Sequence, residues 1–587
     1  MGLAPKRPAS LVNSRGLLAV CCFAFLQTPA CAGEPALPDG VGPLVSLSSA
    51  PRDTEALSAL GQLWVFLKYH HPAVAAGKYD WDAELLRELP KVLAAKDRTE
   101  WGLELERWLD RLPSPGRPAS RTHDGDRPDV KLRPDYGDLF DKGYLPDSLV
   151  AKLDRLRESE GLSSNHYIVD RAAGSPLITN EKVYDETSYP SAGLRLAALF
   201  RYWGLIQYFF PYRHLIGEDW GKILPEFIPA FLNAKNAEEY MLACLRLMGR
   251  THDGHAGIRK RNKARDAYWG KLYPPFTVRF VEGRLVVNRF YGKADGVASL
   301  VSHGDVITRI EDEPVEERID KILPLVPASN QARQSRDAAR LVLRGNTDKV
   351  RITLLHDGRP QTLVVPRSDS WDMSADDMPD FDNGLTDIGY KVIEGDIGYV
   401  DAGKFLNPQL PELKKAFENT KGMIIDMRSY PADDMAYTLG GYLKETSSPY
   451  ALFTQSDVRR PGLFSFREPV KNGGDLDHHY SGTVVVIVNE ETKSSGEWAV
   501  MAFQSARNVA VIGSTTAGAD GNIAVFYLPG GIYTAFSALG VYYPDRTETQ
   551  RVGVRLDATA SPSVEGFREG KDELLRKAVE RIRQSVR

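Results

Sequence analysis

The 587-residue chain predicts a multidomain α+β protein, and three observations carry that reading. Two aromatic-rich stretches repeat one another at a fixed spacing. A run of short alternating strands follows the second copy, and from about Asp396 strands and helical stretches take turns as in a layered α/β domain. With 42% apolar and 26% charged residues, the chain is ordinary globular polypeptide, long enough for three or four domains. A formal charge of −4 without a basic tract gives no electrostatic footprint for nucleic acid.

Residues 1–32 read as a signal peptide. Lys6, Arg7 and Arg15 precede the apolar run from Leu17 to Phe25, and Ala30-Cys31-Ala32 offers a small-residue cleavage site. The run is too short to span a bilayer comfortably, so an exported protein is expected, periplasmic where the host has an outer membrane. Lipidation at Cys31 is the alternative, disfavoured because Thr28 and Pro29 stand where a lipoprotein signal wants an aliphatic and a small residue. Cys21, Cys22 and Cys31 lie in this segment, leaving Cys244. Neither an internal disulfide nor a cysteine metal site is expected, and no later segment resembles a membrane span.

The first helical repeat is placed at 33–125, a linker region at 126–194 and the second helical repeat at 195–268. Trp64, Tyr69, Pro72, Trp81, Pro90, Ala95 and Lys96 recur as Trp203, Tyr208, Pro211, Trp220, Pro229, Ala234 and Lys235. One unbroken register of that length implies duplication. Leu60, Leu63, Trp64 and Leu67 share one helical face, as do Leu199, Tyr202, Trp203 and Ile206, and these aromatics are read as packing a small core. The copies end differently. The first runs into Arg121-Thr122-His123-Asp124-Gly125-Asp126; the second ends Arg250-Thr251-His252-Asp253-Gly254-His255-Ala256-Gly257. His255, in a Gly-flanked turn that lets the backbone come close to a partner, is a candidate general base. A surface-turn histidine, or half a metal site with His252, is the competing reading. No accompanying carboxylate spacing supports a metal.

Residues 269–370 form the next unit. Phe276–Phe280 and Arg284–Val287 alternate as strands, and Gly304–Ile310, Arg344-Gly345 and Val350–Leu355 complete a small sheet pattern. This resembles a PDZ domain, whose sheet edge takes an extended peptide by strand addition; a spacer domain is the plainer alternative.

Residues 371–587 make the α/β unit. Ile397–Val400, Met423–Arg428, Val484–Asn489 and Val509–Gly513 are its expected strands, and Leu528-Pro529-Gly530-Gly531 signals a hairpin. The third strand runs through a polar turn into Ser494-Ser495-Gly496-Glu497 and an apolar-periodic helix. A serine there meets unpaired N–H groups and the positive end of the helix dipole, which suits a nucleophile. It equally suits a plain N-cap.

Taken in order, these parts resemble the exported serine peptidases of the carboxy-terminal processing (tail-specific) and tricorn protease family. The resemblance rests on Asp253-Gly254-His255, the strand ending Asp426-Met427-Arg428-Ser429-Tyr430-Pro431, the Ser494–Glu497 helix start and the turn Thr515-Thr516-Ala517-Gly518. It implies a ClpP/crotonase-like α/β catalytic core with Ser494 as nucleophile. Tail-specific members pair the serine with a lysine about two dozen residues on, which here is about Ala519. No lysine occurs between Ser494 and Lys571. Tricorn-like members use a histidine at the place matching His255, so His255 is expected as base. The oxyanion is expected on the backbone N–H groups of Ser495 and Ala432. Relatives often show Asn-Pro-Gly-Gly where this chain has Tyr430-Pro431-Ala432-Asp433. The residue orienting His255 is expected just before Gly553, with Gln550 and Glu548 as candidates.

The resulting expectation is a serine endopeptidase acting on peptide or unfolded protein through a Ser-His pair, engaging its substrate by the PDZ-like domain and needing no metal or cofactor. A noncatalytic peptide- or ligand-binding relative of the same fold is the alternative, favoured by the missing lysine and the altered turn. An esterase would share the mechanism.

Overall fold

Two tryptophan pairs hold the duplicated helices in the same way. Trp64 Nε1 donates to the Trp81 carbonyl at 2.9 Å, and Trp81 Nε1 returns to the Trp64 carbonyl at 3.0 Å. Trp203 and Trp220 repeat the exchange at 2.8 and 3.0 Å. The copies are the helices Pro51–His70, Trp81–Ala94 and Arg98–Asp110, then Ala192–Phe209, Trp220–Asn233 and Ala237–Gly249. Their starts are set alike, since Asp97 accepts from Glu100 N and Asn236 from Glu239 N, both at 2.9 Å. The long helices cross at equivalent positions: a Cβ on Gly61 would stand 2.6 Å from the Phe200 ring, and one on Gly204 2.3 Å from Val65. Duplication has thus given two modules that pack on each other about a pseudo-twofold contact.

The computed structural model describes residues 50–115, 127–158, 162, 164–171, 174–291, 296–370, 383–385, 387–474 and 478–585. The expected signal peptide with Cys21, Cys22 and Cys31, and the Arg121–Asp126 end of the first repeat, lie outside the described residues. Cys244 is buried and free. Among the described residues, no helix is long and apolar enough to cross a membrane.

The described part of the stretch 126–194, expected as a linker, is folded into both neighbours. Val130–Leu132 pairs antiparallel with Phe464–Phe466. Glu181 reaches into the helical core, pairing with Lys68 at 2.7 Å and Arg201 at 2.9 Å, while Arg201 also holds Asp82 at 2.9 Å. These four buried charges tie the two repeats together, and removing one partner would strand its opposite in the core.

Residues 276–366 build an antiparallel sheet in the order Phe276–Val281, Arg284–Phe290, Val306–Ile310, Lys349–His356, Arg359–Pro366. The helices Val315–Ile322 and Gln331–Val342 cover it through Val315, Ile319, Ala338, Ala339 and Val342. Arg344-Gly345, expected within the sheet pattern, lies beyond the end of the second helix and contributes one isolated bridge, Leu272 with Gly345. The Phe276–Val281 strand is at the sheet's edge, with the Gln331–Val342 helix beside it.

The last unit is a six-stranded sheet ordered Tyr390–Ile393, Ile397–Asp401, Gly422–Asp426, Thr483–Val488, Val509–Gly513, Ala558–Thr559, parallel except for its first pair. Near-continuous apolar runs such as Val484–Val488 arise because both faces are covered. Val484, Val486 and Val488 face the helix Ser495–Gln504, and Val485 and Ile487 face Leu574, Ala578 and Ile582 of the helix Glu573–Ser585. The hairpin Ile523–Leu528/Ile532–Ser537, turned by Gly530 and Gly531 at positive φ, leaves this sheet and buries Phe526, Ile532 and Phe536 in the helical core. Tyr240 Oη donates to Pro529 O at 2.7 Å and Arg201 to Tyr527 O at 2.9 Å. This docked hairpin brings the second repeat's final turn against the α/β unit.

Candidate active site

Ser494 is the backbone N-cap of the Ser495–Gln504 helix: its carbonyl accepts Trp498 N–H at 2.9 Å and its N–H meets the Glu497 carboxylate at 3.4 Å. Its backbone is at φ 54°, ψ −117°, and its side chain makes no cap hydrogen bond. A non-glycine residue in that region costs on the order of 1–3 kcal/mol and persists where its surroundings over-determine it. The surroundings here are explicit. Ser494 N donates to Ala519 O at 3.0 Å, and the buried Glu497 carboxylate accepts from Gly518 N at 2.7 Å, Ala519 N at 2.9 Å, Thr516 Oγ1 at 2.5 Å and Ser494 N at 3.4 Å. Glu497 therefore pins the Thr515–Gly518 turn to the helix start. Burial raises its pKa.

His255 sits in the turn that closes the second repeat. Its neighbour Gly254 is a close-approach glycine: a Cβ there would lie 2.9 Å from Ala519 Cβ and 3.2 Å from Ser329 Oγ. Ala519, the position where lysine-dependent relatives were expected to carry their base, is thus covered by the histidine loop. Lys493 Nζ spans the same join, donating to Gly254 O at 2.6 Å.

The imidazole is oriented by a relay. Ser537 Oγ donates to Asp253 Oδ1 at 2.7 Å, so its lone pair receives His255 Nδ1–H at 2.8 Å. Asp253, fully buried, also accepts Ser537 N at 2.6 Å and His255 N at 3.1 Å. With Nδ1 occupied, Nε2 is the nitrogen left to exchange a proton. Burial holds the His255 pKa well below the ordinary histidine value, and the charges of Lys493, Arg259 and Arg333 push the same way. The ring is therefore neutral at pH 7.

His255 and Ser494 line one cleft, together with Arg428, Ser429, Tyr430 and Lys493; they are not hydrogen-bonded to each other. The other expected site residues are distributed unevenly. Ser495 N, at the first helical position, has no acceptor within the described residues. Ala432 N already donates to Ala402 O at 2.9 Å, which takes it out of use as a free donor. Gln550 Nε2 donates to Ser329 Oγ at 3.2 Å, and that hydroxyl accepts Gly254 N at 2.8 Å. Gln550 thus supports the backbone beside His255 and not the ring. Glu548 pairs with Lys131 at 2.5 Å and His214 at 3.1 Å, engaged away from Nδ1. Two residues of the site are not visible in the sequence: Ser537, which stands in no motif, and Lys493, which precedes the serine and acts only through its contact with Gly254 O. Asp253 was singled out without a role, although its spacing to His255 was a usable signal. Among the described residues, no group of three or more His, Cys, Asp or Glu side chains is placed to hold a metal.

Residues 396–560 match the family model described as Peptidase family S41. That segment, under a third of the chain, is similar to the S41 peptidases. The S41 match contains Ser494 and Ser537, whereas His255 and Asp253 come from outside it. No curated protein matches the chain. Among solved structures, mature CPAF complexed with lactacystin is 13% identical with a TM-score of 0.51, covering 67% of this chain and 98% of that one. A CPAF mutant gives 0.53 at the same identity and coverage. The photosystem II D1 C-terminal processing protease gives 0.37 at 15% identity, covering 65% and 97%. The likeness to CPAF is one of fold, and it extends past the S41 match. Family and fold together support a serine-peptidase function.

Proposed function

We propose that the chain is a serine endopeptidase in which Ser494 and His255 act as nucleophile and general base. The observation that carries this reading is the Asp253–Ser537–His255 relay, which presents a neutral imidazole to the cleft holding a serine whose hydroxyl makes no cap hydrogen bond. His255 Nε2 takes the Ser494 proton as Oγ attacks a peptide carbonyl, then returns it to the leaving amine; water and the same nitrogen release the acyl group. Ser537 takes the orienting position for which Gln550 and Glu548 were candidates. The oxyanion is held by Ser495 N–H and by a donor from the Arg428–Ala432 turn, where the buried Ser429 hydroxyl lines the cleft without a partner.

The 269–370 unit acts as a PDZ-like module on a ClpP/crotonase-like core. Its support is a groove between the edge strand Phe276–Val281 and the Gln331–Val342 helix, lined by Phe276, Val278, Ala339 and Leu343, where an extended peptide would add as a further strand. Residues 1–32 act as an export signal, directing the enzyme to peptide or unfolded protein outside the cytoplasm.

The engaged Ala432 N–H favours the noncatalytic alternative, and hydrolysis separates the two. Purified protein is expected to cleave unfolded casein and to lose that activity in Ser494→Ala. Equal cleavage by the variant would remove Ser494 from the mechanism, and no cleavage by the parent would favour the binder.

A further inference from the structure

The cleft around Ser494 is lined by five cations, Arg259, Arg333, Arg336, Arg428 and Lys493, against one carboxylate, Glu491. Three of the five are neutralised. Arg428 lies between Asp426 and Asp572, both at 2.6 Å. Arg333 pairs with Asp337 at 2.9 Å, and Arg336 with Asp337 at 2.7 Å and with Glu491. Arg259 and Lys493 have no carboxylate within 4.0 Å among the described residues. Their side chains hydrogen-bond to backbone carbonyls of the histidine loop: Arg259 Nη1 donates to His255 O at 3.2 Å and Lys493 Nζ to Gly254 O at 2.6 Å. Asp253, the nearest buried acid on that loop, spends its oxygens on Ser537 and His255.

We infer that Arg259 and Lys493 form a carboxylate-binding subsite beside Ser494, which selects substrates carrying an aspartate or glutamate side chain next to the scissile bond. The inference rests on the serine-peptidase reading and deepens it. Neither cation has a direct carboxylate partner, although Asp337 and Asp253 act on Lys493 from a distance, so an anionic group entering the cleft gains charge-assisted hydrogen bonds to both. Because both side chains are anchored on the two residues 254 and 255, the subsite is fixed relative to the base. A bound acidic residue is thereby held in register with the reacting carbonyl. A chain-terminal carboxylate offers the same chemistry from a different source, and the assay distinguishes them.

The test uses fluorogenic peptides in which each position around the scissile bond is occupied in turn by Glu, Gln or Lys, with amidated C-termini, plus a Gln series with free termini. The subsite predicts a kcat/KM about tenfold higher for Glu than for Gln at one position, the scale of one charge-assisted hydrogen bond. It also predicts that this ratio shrinks at high salt, collapses in Arg259→Gln and turns toward Lys in Arg259→Glu. Arg259 is exposed, so these variants keep the measurement available if Lys493→Gln fails to fold. Equal rates for Glu and Gln peptides, or a preference appearing only with free termini, would overturn the inference. A fluorophosphonate, which carries no carboxylate, reports separately on Ser494: labelling without acidic preference rejects the subsite alone, and absence of labelling rejects the peptidase reading beneath it.

Discussion

Lys493 Nζ donates to the Gly254 carbonyl oxygen at 2.6 Å, so the residue preceding the serine grips the residue preceding the histidine. This bond crosses the join between the helical repeat and the segment that matches the S41 family. It ties the loop that carries His255 to the residue beside Ser494, and the charge of Lys493 disfavours a proton on His255. Burial itself brings Lys493 down to about 8.

Replacing Lys493 by Met is expected to raise the His255 pKa, because a nearby positive charge is removed. The base works only when neutral, so the acid limb of kcat/KM moves to higher pH and the loss is greatest below neutrality. Lys493→Arg keeps the charge and should hold the limb in place. The parent carries a matching stability signature. A histidine depressed on folding leaves the unfolded chain with the greater proton uptake, so stability falls as pH drops below about 6.5. Rate profiles and thermal melts across pH 5 to 8 check both.

Ser537→Ala removes the acceptor of Nδ1–H and leaves Asp253 short of one donor. Losing a buried hydrogen bond of this kind corresponds to roughly 10- to 100-fold in kcat, with KM little changed because no substrate contact is lost. Ser537→Thr, which retains the hydroxyl, should recover part of the rate. A purely structural role would lower the melting temperature without this split, so steady-state kinetics and melts are measured together.

Gly254→Ala places a methyl carbon 2.9 Å from Ala519 Cβ. Overpacking of this sort costs about 1–3 kcal/mol, and relief requires the histidine loop to back away from Ser494. Lower stability by denaturant titration together with slower active-site labelling is expected.

Glu497→Gln exchanges an acceptor-only group for one that brings two donors into a pocket of donors. Thr516 Oγ1, Gly518 N, Ala519 N and Ser494 N all point at this carboxylate. A loss of about 1–3 kcal/mol is expected from chemical denaturation, with disorder of the 515–519 turn seen as faster amide exchange.

How much of this was legible in sequence depends on the range of the contact. The tryptophan register and the alternating strands are local periodicities, and the repeats and both sheets follow from them. The Ser494 helix start was readable because a strand, a turn and a helix are contiguous there. The positive φ that separates a presented hydroxyl from an ordinary cap was not readable, because it is imposed by Ala519 and Glu497 through tertiary hydrogen bonds. Ser537 was invisible for the same reason: it reaches His255 from 282 positions away, on a hairpin whose docking depends on Phe526 and Phe536 finding the helical core. The 126–194 stretch looked like a linker because its short strands and Glu181 have meaning only against distant partners.

Activation of Ser494 by His255 is read out at the serine oxygen itself by active-site labelling. The purified chain is treated with a fluorophosphonate and the adduct mapped by peptide mass analysis, in the parent and in His255→Ala. A single adduct on Ser494 is expected, and its formation slows by on the order of 100-fold or more without the imidazole. Labelling at another residue, or at the same rate in His255→Ala, would contradict it.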